Sequence, residues 1–261
     1  MFVPMDLDHK WIGNYMKKKY LALSHFIGKP ETTCLYYSAG DFTDLIGRIS
    51  TVNGVGGVKV YFASYCLTGV PAIDDIANAG YMDQLTLVFG ATDSGRNDLG
   101  QYFTVNPNGG VIALTPATAK NLVLCYQTKK MPLLTAIIND AGVANFSETK
   151  SYWYPLVDFD GPYDIIKEMQ THGAAGITAF IGSYGEKDST PQADVSYQMN
   201  IIFELAKSVD YNGSSYLYHF DLEDTPGWID RPAPPPSPAG RLQGGDTGNP
   251  CPPAICGGGL G

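Results

Sequence analysis

His219, Asp221 and Glu223 alternate with Phe220 and Leu222 and are the best candidates in the chain for catalytic chemistry. In an extended strand, alternate side chains share a face about 7 Å apart. An imidazole would then lie beside two carboxylates while Tyr218, Phe220 and Leu222 face the core. Such a set can bind a divalent metal or run acid–base chemistry. The plainer reading is the wet face of a half-buried strand, because alternation alone puts polar residues there.

A second candidate is Cys251-Pro252-Pro253-Ala254-Ile255-Cys256. Two thiolates are half of a zinc site, but the surrounding tail has no further Cys or His. His219, Asp221, Cys251 and Cys256 are therefore the candidate metal ligands, and a recognition role through a protein partner is the favoured reading of the cysteine pair. The loop Asp93-Ser94-Gly95-Arg96-Asn97-Asp98 holds a charge pair and an amide that can meet a ligand, yet Asp, Gly and Asn are also what a turn requires.

Motifs for cofactors are missing. No G-x-x-x-x-G-K-[ST] phosphate loop occurs, and no G-x-G-x-x-G opens a helix after a strand. Gly54-Val55-Gly56-Gly57 precedes a strand, so it presents no helix N-terminus to a phosphate. Gly182-Ser183-Tyr184-Gly185 lacks the spacing of a nucleophile elbow. No cofactor is assigned.

The elements that must position these residues include an internal repeat. Tyr36-Tyr37 through Asp41-Phe42 matches Trp153-Tyr154 through Asp158-Phe159, and Asp44-Leu45-Ile46 matches Asp164-Ile165-Ile166. Gly57 to Tyr65 then matches Gly176 to Tyr184, and Gln84 to Phe89 matches Gln198 to Phe203. Each copy reads as helix–strand–strand. Asp41 is the expected N-cap of the first helix and Pro162 the expected first-turn residue of the second. Leu45, Ile46 and Ile49 form one apolar stripe, as do Ile165, Ile166 and Met169. Asn53-Gly54 and His172-Gly173 are the stops. A further amphipathic helix is expected over 9–26, another from Thr115-Pro116 to about Gln127, a third over 133–139, and a strand over 214–222.

The expected class is α+β, a tandem duplication forming a mixed sheet or a pseudo-two-fold pair. The parts are an N-terminal helix (1–30), a first unit (31–130), a second unit (131–225) and a disordered tail (226–261). That tail holds nine of the 18 prolines and nine of the 30 glycines, too little apolar surface to offset the entropy of ordering.

The net charge of −9 argues against nucleic acid and anionic membrane as partners, and Lys17-Lys18-Lys19 reads as a solvated helix face. No run of apolar residues is long enough to cross a membrane, and Met1 to Asp8 is no signal peptide. Five cysteines, with Cys34, Cys66 and Cys125 in or beside apolar segments, fit reduced buried thiols in a cytoplasmic protein.

Gly57-Val58-Lys59-Val60-Tyr61-Phe62, Leu85 to Asp93, Gly95 to Asp98 and the closing Cys251-Pro252-Pro253…Cys256-Gly257 together resemble a family of small Bacteroidota proteins ending in Cys-Pro-Pro-x-Cys-Gly. This chain has one extra residue between the two cysteines. The resemblance implies a bacterial cytosolic setting and carries no activity with it. The function favoured by the sequence is a non-catalytic binding or assembly protein with an interaction tail. The alternative is a metal-dependent or acid–base enzyme using His219, Asp221 and Glu223.

Overall fold

The computed structural model describes residues 5–141, 147–160, 165–185, 197–211, 214–220 and 249–250. Helix α1 (Met5–Tyr15) runs through a π-helical turn, Met16–Tyr20, into α2 (Leu21–Ile27). There follow β1 (Cys34–Ser38), α3 (Ala39–Ser50), β2 (Gly57–Ser64), α4 (Pro71–Ile76), β3 (Leu85–Thr92), β4 (Asp98–Val105) and β5 (Val111–Leu114). Helices α5 (Pro116–Lys129) and α6 (Met131–Asp140) lead to β6 (Ser151–Pro155), α7 (Ile165–Thr171), β7 (Gly176–Ser183), β8 (Met199–Tyr211), β9 (Ser214–Phe220) and β10 (Asn249–Pro250). No described helix is long and apolar enough to cross a membrane.

The class is α+β as expected, but neither sheet is mixed. One has the order β1-β7-β8-β9 and the other β10-β6-β2-β3-β4-β5, and every described pairing is antiparallel. Alternation gives each sheet two apolar faces. Val58, Val60 and Phe62 of β2 and Leu87 and Phe89 of β3 share one core with Ile177, Ala179, Ile181, Ile201 and Phe203 of the other sheet. The opposite face of β2, with Tyr61 and Ala63, packs on Ala119, Leu122 and Val123 of α5. The opposite face of the second sheet packs on α1, where Trp11 meets Tyr184 edge-on at 5.1 Å between ring centroids.

The local signals hold with one shift. Ser38, not Asp41, caps α3: its hydroxyl accepts from the Asp41 amide at 3.1 Å. Asp41 sits three residues in, and its carboxylate accepts from Ser38 Oγ and from the Gly110 amide. Gly54 and Gly173 take the left-handed backbone at φ 80° and 59°, as stops require. Thr115 caps α5 ahead of Pro116. Pro162 lies outside the described residues.

The segments matched in sequence make matching contacts, but crosswise. β1 pairs with β7, putting Ser38 opposite Gly176 and Tyr37 opposite Ile177. β6 pairs with β2, putting Pro155 opposite Gly57 and Tyr154 opposite Val58. These are the same register in the repeat's own alignment. β1 therefore joins the sheet of β7, β8 and β9, and β6 joins the sheet of β2, β3, β4 and β5. Even the close approaches correspond: a Cβ on Gly57 would overlap the Trp153 ring, and one on Gly176 would overlap the ring of Tyr36.

The correspondence extends into the helices. Tyr15 Oη donates to the Thr32 carbonyl and Tyr126 Oη to the Thr149 carbonyl, both at 2.9 Å. Four residues after each tyrosine comes a buried lysine, Lys19 or Lys130, and the pairs cross: Lys19 meets Glu148 and Lys130 meets Glu31. Glu31 Oε1 accepts from the Thr32 and Leu85 amides, and Glu148 Oε1 accepts from the Thr149 and Met199 amides. Ser24 and Thr135 hydroxyls accept the amides of those two glutamates. Lys19 is thus no part of a solvated face. Burial pushes both lysines below the usual ammonium range, and the facing carboxylate pulls them back.

The expectation of reduced thiols fails for two cysteines. Cys66, just past β2, and Cys125 on α5 form a disulfide with their Cα atoms 6.5 Å apart, while Cys34 is free and exposed. Side-chain periodicity cannot show that α5 lies over β2, and only that packing brings the two sulfurs together.

Glu148→Ala leaves Lys19 buried and uncompensated and is expected to cost about 3–5 kcal/mol in urea unfolding. Glu31→Ala should cost a similar amount, while the double change Lys19→Met with Glu148→Leu should recover only the part due to the stranded ammonium, because the Thr149 and Met199 amides still lose their acceptor. The Cys66–Cys125 bond closes a loop of sequence separation 59. Its removal as Cys66→Ala/Cys125→Ala is expected to cost about 4 kcal/mol on the chain-entropy model, read by the same denaturation.

Candidate functional site

Of the residues singled out by sequence, His219 lies on β9 with its backbone opposite Ala206. Its side chain, together with Asp221, Glu223, Cys251 and Cys256, lies outside the described residues. Among the described residues no three of His, Cys, Asp or Glu gather around one point. The loop 93–98 is the turn its composition suggests. Asp93 accepts from the Asn97 side-chain amide at 3.0 Å and from the Asn97 backbone amide at 2.8 Å, which together hold its carboxyl below the usual range, and Arg96 is left-handed at φ 69°. Ser183 donates to the Tyr197 carbonyl at 2.9 Å, the structural role expected at a strand end.

A polar cluster that the sequence reading did not assemble lies on the outer face of the β2 sheet. Lys59 and Tyr61 are two apart on β2 and share that face, and cross-strand pairing sets Lys59 beside both Gly90 and Trp153. Gly90 in turn faces Tyr102 on β4, and Thr92 faces Asp98. Gly90 is needed there because a Cβ would come within 3.2 Å of both the Tyr102 ring and Asp98 Oδ1. Tyr61 Oη donates to Asp98 Oδ2 at 2.6 Å. Trp153 Nε1 donates to Thr92 Oγ1 at 2.8 Å, and the Arg96 guanidinium stacks 4.8 Å from the Trp153 ring.

The electrostatics of the cluster follow from its dryness. Desolvation raises the Asp98 carboxyl above its usual range, against the pull of the Tyr61 hydroxyl, Lys59 and Tyr102. The same burial lowers Lys59, with Asp98 opposing. Tyr102 is pushed up to about 12, first by burial and then by the Asp98 charge. A carboxyl and an ammonium that each favour neutrality can exchange protons with a bound group or with one another. The signal available in the sequence was Lys59 itself, a charge inside the apolar run Val58–Phe62. The corresponding strand of the other half carries Thr178 and Phe180 at the places of Lys59 and Tyr61, so the cluster belongs to one half only.

The second feature is a pair of sheet edges. β6 receives β10, with Asn249 opposite Trp153 and Pro250 opposite Tyr152. Of the tail 226–261, these two residues are the described part, and they are strand-paired. β1 corresponds to β6 in register and is one of the two outer described strands of its own sheet, β9 being the other. It carries exposed Cys34 and Tyr36, the latter 41% exposed, whereas its counterpart Trp153 is 6% exposed.

No family model, curated protein or solved structure matches this chain.

Tyr61→Phe removes a hydroxyl that favours the Asp98 carboxylate, so the Asp98 pKa should rise further. A carboxyl carbon NMR titration reads this directly, and an unchanged or lowered value would mean that Tyr61 is no donor to the carboxylate.

Proposed function

We propose that this chain is a non-catalytic binding or assembly protein that engages extended segments at its sheet edges, with its own tail as one such segment. The observation that carries the reading is the pairing of Asn249 and Pro250 with the edge of β6. Strand addition draws its affinity from main-chain hydrogen bonds and suits a Pro-rich segment with little to bury. The repeated unit supports the reading as well. The crosswise registers, the paired glutamates and the paired tyrosines are what a duplicated ancestor with exchanged strands would leave, and duplication yields two equivalent edges. A protein partner, and neither nucleic acid nor membrane, fits the charge of −9.

The compartment enters through the cysteines. A disulfide is ordinary where the surroundings are oxidising and rare in a reducing cytoplasm. The Cys66–Cys125 bond therefore weighs against the cytoplasmic setting that reduced thiols implied. An acid–base enzyme is the second reading, and the opposed shifts of Asp98 and Lys59 are the observation in its favour.

Deleting 226–261 should leave the melting temperature within about 2 °C, since the described part of that stretch contributes a two-residue bridge. The amide of Trp153 should lose protection from hydrogen exchange in that shortened chain and regain it when a synthetic peptide of residues 246–254 is added. No change at Trp153 in either step would remove the edge-binding reading.

A further inference from the structure

We propose that the edge of β1 left open among the described residues takes the Asn249–Cys251 stretch of a second copy of this chain as an added antiparallel strand. The inference rests on the reading of the tail as a strand-adding element and names its partner and register. β1 and β6 occupy corresponding places: Ser38 and Pro155 face Gly176 and Gly57, and Tyr37 and Tyr154 face Ile177 and Val58. The edge that β6 offers to β10 is therefore the edge that β1 presents outward.

Backbone direction agrees. The Ile181 amide donates to the Thr33 carbonyl at 2.9 Å, and the Ala39 amide donates to the Ala175 carbonyl at 2.8 Å. Alternation then turns the N–H and C=O groups of Cys34, Tyr36 and Ser38 away from β7 and toward the open edge. On β6 the inward bonds fall at Lys150 and Leu156, which turns the groups of Ser151 and Trp153 outward in the same way.

The tail sequence fits one side of such an edge. Asn249 and Cys251 carry amide hydrogens at alternate positions, while Pro250 and Pro252 carry none. A strand of that pattern donates on one side and offers no donor on the other, so it closes the edge it joins. In the structure Asn249 faces Trp153 and Pro250 faces Tyr152. The same register on β1 sets Asn249 opposite Tyr36, Pro250 opposite Leu35 and Cys251 opposite Cys34, the free exposed cysteine. Directly opposite residues of a hydrogen-bonded pair have Cα atoms about 5.5 Å apart, within reach of a disulfide.

A second copy is the occupant because the chain's own segment already lies on β6. Each molecule has one such segment and two edges that fit it. Moving the segment from its own β6 to a neighbour's β1 exchanges one bridge for an equal one, so concentration decides between a closed monomer and a head-to-tail chain.

The test uses full-length chains in a Cys256→Ser background. One also carries Cys34→Ser and the other Cys251→Ser, so Cys34 and Cys251 meet only between molecules. The two are mixed at high concentration with oxidised glutathione, which accepts the two electrons lost by the thiols and leaves as two reduced glutathiones while the Cys34–Cys251 bond forms. The mixture should give about tenfold more covalent dimer than either chain alone, with the Cys34–Cys251 peptide identified by mass. Asn249→Pro on the Cys251-bearing chain removes the edge-facing donor and should return the yield to that of the separate chains. Equal yields in mixed and separate samples would overturn the inference, as would insensitivity to Asn249→Pro. So would a Cys34–Cys251 bond within single molecules of the parent chain at every concentration. If the tail peptide protects Trp153 but no mixed dimer forms, the tail reading stands and this inference falls; failure of both removes both.

Discussion

Two buried carboxylates, Glu31 and Glu148, fix the places where each helix junction meets the start of a core strand. Burying an ionised carboxylate costs several kcal/mol unless its oxygens are fully served. Each glutamate meets that condition in the same way, with two backbone amides on Oε1 and a lysine on Oε2. The amides come from the residue after the glutamate and from the first residue of a core strand, Leu85 or Met199. The lysine comes from a helix junction 129 residues away for Glu148 and 99 residues away for Glu31. One side chain thus clamps three elements, and its requirement for all of them is what makes the arrangement specific.

The crossed clamps go together with crossed strands. With β1 hydrogen-bonded to β7 and β6 to β2, neither half owns a complete sheet, and the two sheets bury their inner faces in one core. Aromatic rings fill the seam: Phe42, Phe159 and Phe203 lie 6.0–6.3 Å apart in pairs, and Tyr154 meets both Phe159 and Phe203 edge-on. Such a core cannot divide along the chain, because removing either half takes one strand from one sheet and most of the strands from the other.

Against this correspondence, the places where the halves differ stand out. Lys59 and Tyr61 have Thr178 and Phe180 as counterparts, so the clamps are common to both halves whereas the Asp98 cluster is not. The same holds at the edges, where β6 has β10 beside it and β1 presents Tyr36 and Cys34.

The sequence by itself determined most of the elements, because periodicity, caps and glycine stops act over a few residues, and it carries the matched segments within Tyr36–Phe89 and Trp153–Phe203. It also carries the shared spacing of Tyr15-x-x-x-Lys19 and Tyr126-x-x-x-Lys130, although a spacing that sparse signals nothing until Glu148 and Glu31 are seen across from it. His219 reads as a strand residue, and β9 confirms that much. Tertiary structure alone decided that the opening strands cross, that Lys19 is buried and not solvated, that Cys66 finds Cys125, and that Tyr61 meets Asp98. Each of these depends on which strand lies beside which. A strand's own pattern specifies its buried face and leaves open whose edge it joins; that choice is made by the fit of the whole core.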